Sequence, residues 1–409
     1  MSSAEQPRID LAADHPLAAV ATITLKPTGE TEFVGVEGRV LRAYMPPMPG
    51  TWAFASAVFD VATSTLRLVL GDDIEFVVEI GTVMTSVNRP VVYLDQNQWI
   101  DLARARVNSP KVSGERKDAC ERLIELARNR KVILPLSSAH VVETAKKGGQ
   151  QRTDLARTMI ELSRGWQMRS PLRVREHELN RMLERGNPAT SRWPDIDVFT
   201  LLPNAIWTDR HHATLPRLDL DDLSDEVRGL TERTAWAVAF AEGLLETESE
   251  YSPEGCQLAT AWAKSFHDLA LHIKSNPKAK GCARDLSRTR FITDMPMDIA
   301  QSASDNGLTP EQFDAWLAEG AETDLAAAPA LGRIREVLHL RLRNADDIWE
   351  ANDLIDLLYL ATAGAYADVL IGERKTCNYL LRAGGDVTPG SAVFRRMIDA
   401  VPAIEQLIA

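Results

Sequence analysis

The chain is poor in cysteine and has none in a paired spacing. Cys120, Cys256, Cys282 and Cys377 are the only four among 409 residues, far apart and without a C-x-x-C step. That argues against a cysteine-built zinc module and against a disulfide framework, and fits a reducing compartment. No apolar run approaches the length of a membrane span. The opening Met1-Ser2-Ser3-Ala4-Glu5 has neither the basic nor the apolar segment of a secretory signal. A cytoplasmic protein with no membrane partner is therefore expected. A surplus of positive charge is missing too: the net charge is -12, which taken alone argues against a nucleic-acid partner. No internal repeat is visible.

What is present is globular. The composition is 45% hydrophobic and 25% charged, and the length allows two or three domains with cores of their own. The charge is unevenly spread. Residues 1–88 carry 5 Lys and Arg against 11 Asp and Glu, whereas residues 89–165 carry 15 against 9, a local surplus of +6. A basic block is either a solvated surface or an electrostatic footprint for a polyanion.

Residues 1–88 read as a β-rich accessory domain after a loose tail. Val20-Ala21-Thr22-Ile23-Thr24-Leu25, Arg39-Val40-Leu41-Arg42-Ala43-Tyr44 and Thr65-Leu66-Arg67-Leu68-Val69-Leu70 alternate, Ile74-Glu75-Phe76-Val77-Val78-Glu79-Ile80 follows, and Pro- and Gly-containing turns separate them. With no cluster of chemical side chains, this small antiparallel domain is expected to dock a protein partner. Residues 83–90 read as a linker.

Strand and helix patterns then alternate over 89–185 and again over 346–409, which implies a parallel sheet. Val91-Val92-Tyr93-Leu94 reads as a buried strand, followed by Asp95 and a helix. Lys131-Val132-Ile133-Leu134-Pro135-Leu136 reads as a second strand, followed by a helix capped by Ser137 or Ser138 and bearing His140 and Glu143. Leu172-Arg173-Val174 reads as an edge strand. Asn352-Asp353-Leu354-Ile355-Asp356 opens an apolar helix that ends at Gly364. Asp368-Val369-Leu370-Ile371 follows as a third buried strand, then Gly372-Glu373-Arg374-Lys375, and Gly384-Gly385-Asp386-Val387 as a further edge strand. Residues 186–345 break the alternation and read as an all-helical insertion, with helices expected over 225–246, 254–275, from Pro310 and over 321–343.

In a parallel sheet the strand C-termini share one edge with the starts of the following helices. Asp95, Glu143 and Glu373 are therefore expected to converge, joined by Asp353 or Asp356. Clustered carboxylates repel unless cations or protons neutralise them, and an all-oxygen donor set suits Mg²⁺ or Mn²⁺. Each residue also has a plain alternative. Asp95 and Asn97 can cap a helix, Asp353 can answer the helix dipole, and Glu143 and His140 can be solvated. Asp368 reads as a turn residue, and Trp99, Trp316 and Trp349 read as core.

These pieces resemble the PIN domain, a nuclease fold. The resemblance rests on Tyr93-Leu94-Asp95-Gln96-Asn97 for the first-strand D-x-N, Ser137-Ser138-Ala139-His140-Val141-Val142-Glu143 for the capped helix with one acid, and Asn352 to Asp356 running into Ala367-Asp368-Val369-Leu370-Ile371-Gly372-Glu373 for the last acids. It covers about 89–185 and 346–409. Gly372 and Glu373 stand where the family usually has Thr and Asp, and the 186–345 insertion lengthens the spacing. The resemblance implies an α/β PIN-like parallel-sheet domain acting as a divalent-metal-dependent hydrolase, an endonuclease on RNA ahead of DNA. Asp95, Glu143, Asp353, Asp356 and Glu373 would be catalytic, with Asp95, Glu143, Asp353 and Glu373 holding the metal. Of the helix pair, Asp353 is the expected ligand because it lies nearer the helix start. Asn97, Lys146, Lys147, Arg374 and Lys375 are expected to meet nucleic acid. Two other readings stay open: a PIN-like binding or scaffold module without metal, and an aspartyl phosphatase. The second usually has another Asp where Asn97 stands.

Overall fold

The computed structural model describes residues 19–44, 53–72, 74–81, 88–184, 191–193, 195–207, 224–245, 253–384 and 387–409, with side chains from 257 onward in the segment that begins at 253. The N-terminal tail, the Pro46–Gly50 turn and most of the 186–222 stretch lie outside them.

Six strands build an antiparallel sheet: β1 (Val20–Leu25), β2 (Glu30–Gly35), β3 (Val40–Tyr44), β4 (Phe54–Asp60), β5 (Thr65–Leu70) and β6 (Glu75–Glu79), in the order β3-β2-β1-β4-β5-β6. Gly29 closes the β1–β2 turn with φ 83°, a conformation glycine adopts without strain. β2 and β4 add two strands to those the alternation suggested. One face, with Ile23, Phe33, Phe59, Leu66, Leu68 and Phe76, is buried.

The rest of the chain is helical around a small parallel sheet. In order come β7 (Val92–Leu94), α1 (Gln96–Arg106), α2 (Gly114–Arg128), α3 (Ser138–Ala145), α4 (Gly149–Ser163), β8 (Gln167–Met168), α5 (Pro171–Leu183), β9 (Phe199–Thr200), α6 (Asp225–Leu245) and α7 (Pro253–Ser275). The short helices α8 (Pro277–Gly281), α9 (Ala283–Thr293), α10 (Pro296–Asp305), α11 (Pro310–Ala315) and α12 (Ala321–Ala327) follow, with a π turn at Trp316–Gly320. Last are α13 (Pro329–Leu342), α14 (Asp353–Tyr366), β10 (Val369–Ile371), α15 (Arg374–Ala383), β11 (Ala392–Phe394) and α16 (Met397–Ile408). No helix among the described residues is long and apolar enough to cross a membrane.

β7 pairs in parallel with β10, Leu94 opposite Ile371, and β10 with β11. Residues 131–136 form no regular strand. They continue the sheet by single parallel bridges, Val91 to Ile133 and Leu136 to Gln167. Across the sheet the parallel segments are β8, residues 133–136, β7, β10 and β11, which in chain order is third, second, first, fourth, fifth; β9, a short strand in the stretch expected to be all helical, pairs antiparallel on the far side of β8. The order reverses between β7 and β10. α1 leaves β7 into one core, with Trp99 and Leu102, and α15 leaves β10 into the other, with Tyr379 and Leu380. Such a reversal opens a crevice at the strand C-termini.

Alternation along β7 divides the two cores: Val92 and Leu94 face the first, Val91 and Tyr93 the second. The first core also takes in the N-terminal sheet. α6, placed in the insertion by its sequence position, packs on β1, β4, α3 and α4, and its Glu242 carboxylate accepts the Ala53 and Phe54 amides at 2.8 and 3.2 Å. Glu79 at the end of β6 meets Arg89, Arg130 and Arg164. The β sheet is therefore built onto the α/β part through one continuous core.

Several sequence expectations give way to local physics. Leu172-Arg173-Val174 is the first turn of α5, because Ser170 caps it and Pro171 opens it. The edge strand is β11; Gly385 and Asp386, which carried that expectation, lie outside the described residues. The helix expected over 321–343 is two, since Pro329 forces Ala328 into an extended conformation with ψ 128°. α14 runs two residues past Gly364. Trp99, Trp316 and Trp349 are buried as expected.

Candidate active site

The crevice between β7 and β10 is a cleft of about 100 Å³, and four carboxylates line it: Asp95, Glu143, Asp356 and Glu373. Asp95 stands one residue past β7 and Glu373 two past β10, and each caps the helix that follows. Asp95 Oδ1 accepts the Gln98 amide at 3.0 Å, and Glu373 Oε1 accepts the Thr376 amide and hydroxyl at 3.0 and 2.6 Å. Capping and lining the cleft are thus one role, not competing ones.

Gly372 makes room for this arrangement. A Cβ there would meet Cys377 Sγ at 2.9 Å and Leu360 at 3.3 Å. The side chains packed over this position leave room for glycine and no larger residue.

Glu143 comes from α3, whose start is locked to β7. His140 Nδ1 accepts the Ser137 amide at 3.0 Å, so Nε2 carries the proton and donates to the Leu94 carbonyl at 2.8 Å. Burial holds the imidazole neutral, pushing it down to about 4. His140, expected on the surface, is a buried strut between α3 and β7. Tyr359 of α14 bonds Ser138 and ties the third element to α3.

The helix pair resolves the other way from expectation. Asp356 lines the cleft, and Asp353 points into a separate ion-pair cluster. Arg341 Nη2 donates to Asp353 at 2.9 Å, the Glu350 amide donates at 2.6 Å, and Lys375 Nζ lies 3.2 Å away. Lys375 also pairs with Asp347 at 3.0 Å, so it is a clamp residue of α15, not a free phosphate contact. Asn97 lines the cleft mouth and is exposed, as are Lys146 and Arg374; Lys147 is half-buried.

The cleft is electrostatically unfavourable as it stands. Burial pushes Asp95 up to about 7, aided by the Glu373 and Glu143 charges. Burial also raises Asp356 to about 7, with Glu373, Glu143, Asp353 and Asp95 adding to it. Glu143 is raised by burial against the pull of Lys146 and Lys147. Among the described residues no three acid, imidazole or thiol side chains form a ready-made metal cage. The donor set nevertheless fits a hard cation. It is all oxygen, and it includes a residue that sequence reasoning missed. Gln96 lines the cleft, its amide nitrogen is held by Thr144 at 3.0 Å, and its buried Oε1 has no hydrogen-bond partner. Only its place beside Asp95 hints at this in the sequence.

No family model matches the chain, and neither curated proteins nor solved structures match it.

Proposed function

We propose that this protein is a divalent-metal-dependent nuclease of the PIN-like kind, hydrolysing phosphodiester bonds in RNA. The observation that carries the reading is the convergence of Asp95, Glu143, Asp356 and Glu373 on one cleft at the sheet's switch point, with two of them raised to about 7. Strained carboxylates of this kind are a mark of functional sites. The reversed strand order and the resemblance of the motifs support it further.

Asp95, Glu143, Asp356 and Glu373, with Gln96, would hold Mg²⁺ or Mn²⁺, which supplies Lewis-acid stabilisation of charge developing on the phosphate. The chain's own part is positional. The two cap bonds fix Asp95 and Glu373 on adjacent strand ends, His140 fixes α3, and Tyr359 fixes α14. The walls formed by Tyr93, Ile355 and Leu360 narrow the solvent around the acids; Lys146 and Lys147, whose charges act on Glu143, and Arg374, the residue after Glu373, would supply positive charge for a phosphate backbone.

Mn²⁺ at millimolar concentration is expected to raise the melting temperature of the wild type, because an ion that binds only the native state stabilises it. Asp95→Asn keeps the cap acceptor and should stay folded but lose the response. The other reading, a binding module without metal, rests on Gly372 and Glu373 standing where the resemblance expects Thr and Asp, and on the net charge of -12. That reading gains if the wild-type melting curve ignores Mn²⁺ and no RNA is cut.

A further inference from the structure

A second cleft lies on the helical insertion, with a volume of about 480 Å³. Lys274, Lys280, Arg284 and Arg343 line it, with His339 and Asp346. Lys274 pairs with Asp346 and Arg284 with Glu336. Lys280 and Arg343 are exposed and form no ion pair among the described residues. In a chain of net charge -12, such a cluster is a local positive field. Gly281 and Ala283 of the lining lead into α9, whose start has no side-chain cap.

His339 gives the cleft a second, different feature. The residue is 5% exposed. Ser287 spends its hydroxyl proton on the Ala283 carbonyl at 2.7 Å, so its oxygen accepts from His339 Nδ1 at 3.2 Å. Burial and the neighbouring Arg284 and Arg343 hold the imidazole neutral. Nε2 is then an acceptor among cations. A bare phosphate offers it no proton, whereas a ribose 2′-hydroxyl beside a phosphate does.

The cleft also lies at the right end of the fold. α13 and α14 pack along each other and are joined by residues 343–352, so the last turn of α13 and the first turn of α14 share an end. His339 and Arg343 stand at the end of α13, and Asp356 in the first turn of α14. Asn344, in the cleft, bonds Tyr379, which bonds Asp347, the partner of Lys375 on α15.

We propose that this basic cleft binds the ribose–phosphate backbone of RNA at a point remote from the acids, with Lys280 and Arg343 on phosphates and His339 on a 2′-hydroxyl. The choice of RNA as substrate rests on the nuclease reading, but the test does not use cleavage. A fluorescent single-stranded RNA and the DNA of the same sequence are titrated with full-length protein in EDTA, and anisotropy is followed at several salt concentrations. Combined Lys280→Glu and Arg343→Glu should weaken RNA binding by about 10-fold or more, and should shrink the salt slope by about 0.7 for each phosphate that is no longer neutralised. Both positions are exposed, so the fold should hold. Lys264→Glu, on the same insertion but outside the cleft, should bind as wild type. His339→Ala should narrow the RNA-over-DNA preference. Unchanged affinity and slope in the double variant overturn the proposal, as does a wild type that fails to bind RNA at about 50 mM salt. If the double variant binds and cuts RNA normally, the cleft proposal falls and the nuclease stands. If binding tracks the cleft but nothing is ever cut, the reverse holds.

Discussion

Asp95→Ala and Asp356→Ala are each expected to lower metal-dependent cleavage of single-stranded RNA by on the order of 10³-fold, and the double variant to be no worse. Both carboxylates line one cleft, burial and the Glu373 and Glu143 charges raise both, and Asp95 adds to the rise of Asp356. On the proposed nuclease reading they would hold one shared cation, so removing either would disable the unit and their losses would not add. Glu143→Gln belongs in the same class. Glu373→Gln should cost less, because one of its oxygens is already engaged with Thr376 and the amide can keep that cap. Asp353→Asn should retain cleavage wherever the protein is folded. The measurement is initial rate under saturating Mn²⁺, with circular dichroism as the folding control. An Asp356→Ala protein that cuts at the wild-type rate removes the nuclease assignment.

The elements that carry these acids were legible because their signals are local. A four-residue apolar run before Asp95, and the three residues Val369-Leu370-Ile371 before Gly372 and Glu373, fix strand, cap and helix together. The convergence of Asp95, Glu143 and Glu373 follows from parallel strands sharing an edge. The choice between Asp353 and Asp356 was not legible. Both fit the first turn of one helix, and proximity to the helix start favours Asp353. What decides it is Arg341 on α13 and Lys375 on α15, partners 12 residues before and 22 after Asp353. His140 escaped for a similar reason: a histidine on a short helix is buried only if a strand carbonyl, here that of Leu94, waits for it. The β sheet and the helices also share a core that composition does not reveal. Composition changes near residue 88, but the first core crosses that boundary through α4 and α6.

Because the two helix acids sit in opposite environments, their removal should move stability in opposite directions. Asp353 is buried, yet the Arg341 and Glu350 bonds and the Arg341 and Lys375 charges outweigh that burial and hold its pKa below the usual value. Asp353→Ala would leave Arg341, whose side chain is 3% exposed beneath Trp349, with Asp347 alone. A loss of about 3 kcal/mol is expected, the lower end for breaking a buried pair. Asp356 is raised from 3.8 to about 7. Between those values the native state binds more protons than the unfolded chain, so its contribution is present in acid and is lost as pH rises through 7. Asp356→Asn should therefore be more stable than wild type in EDTA at pH 8, and the difference should shrink toward pH 5. Comparing variant with wild type at each pH cancels His140, whose depressed pKa acts with the opposite sign over the same range. Urea unfolding at pH 5 and pH 8 measures both effects. Mn²⁺ at pH 8 should then reverse the order, stabilising wild type and leaving Asp356→Asn unmoved. If Asp356→Asn is the less stable protein at pH 8 in EDTA, the cleft carries no electrostatic strain, and the metal reading loses its physical basis.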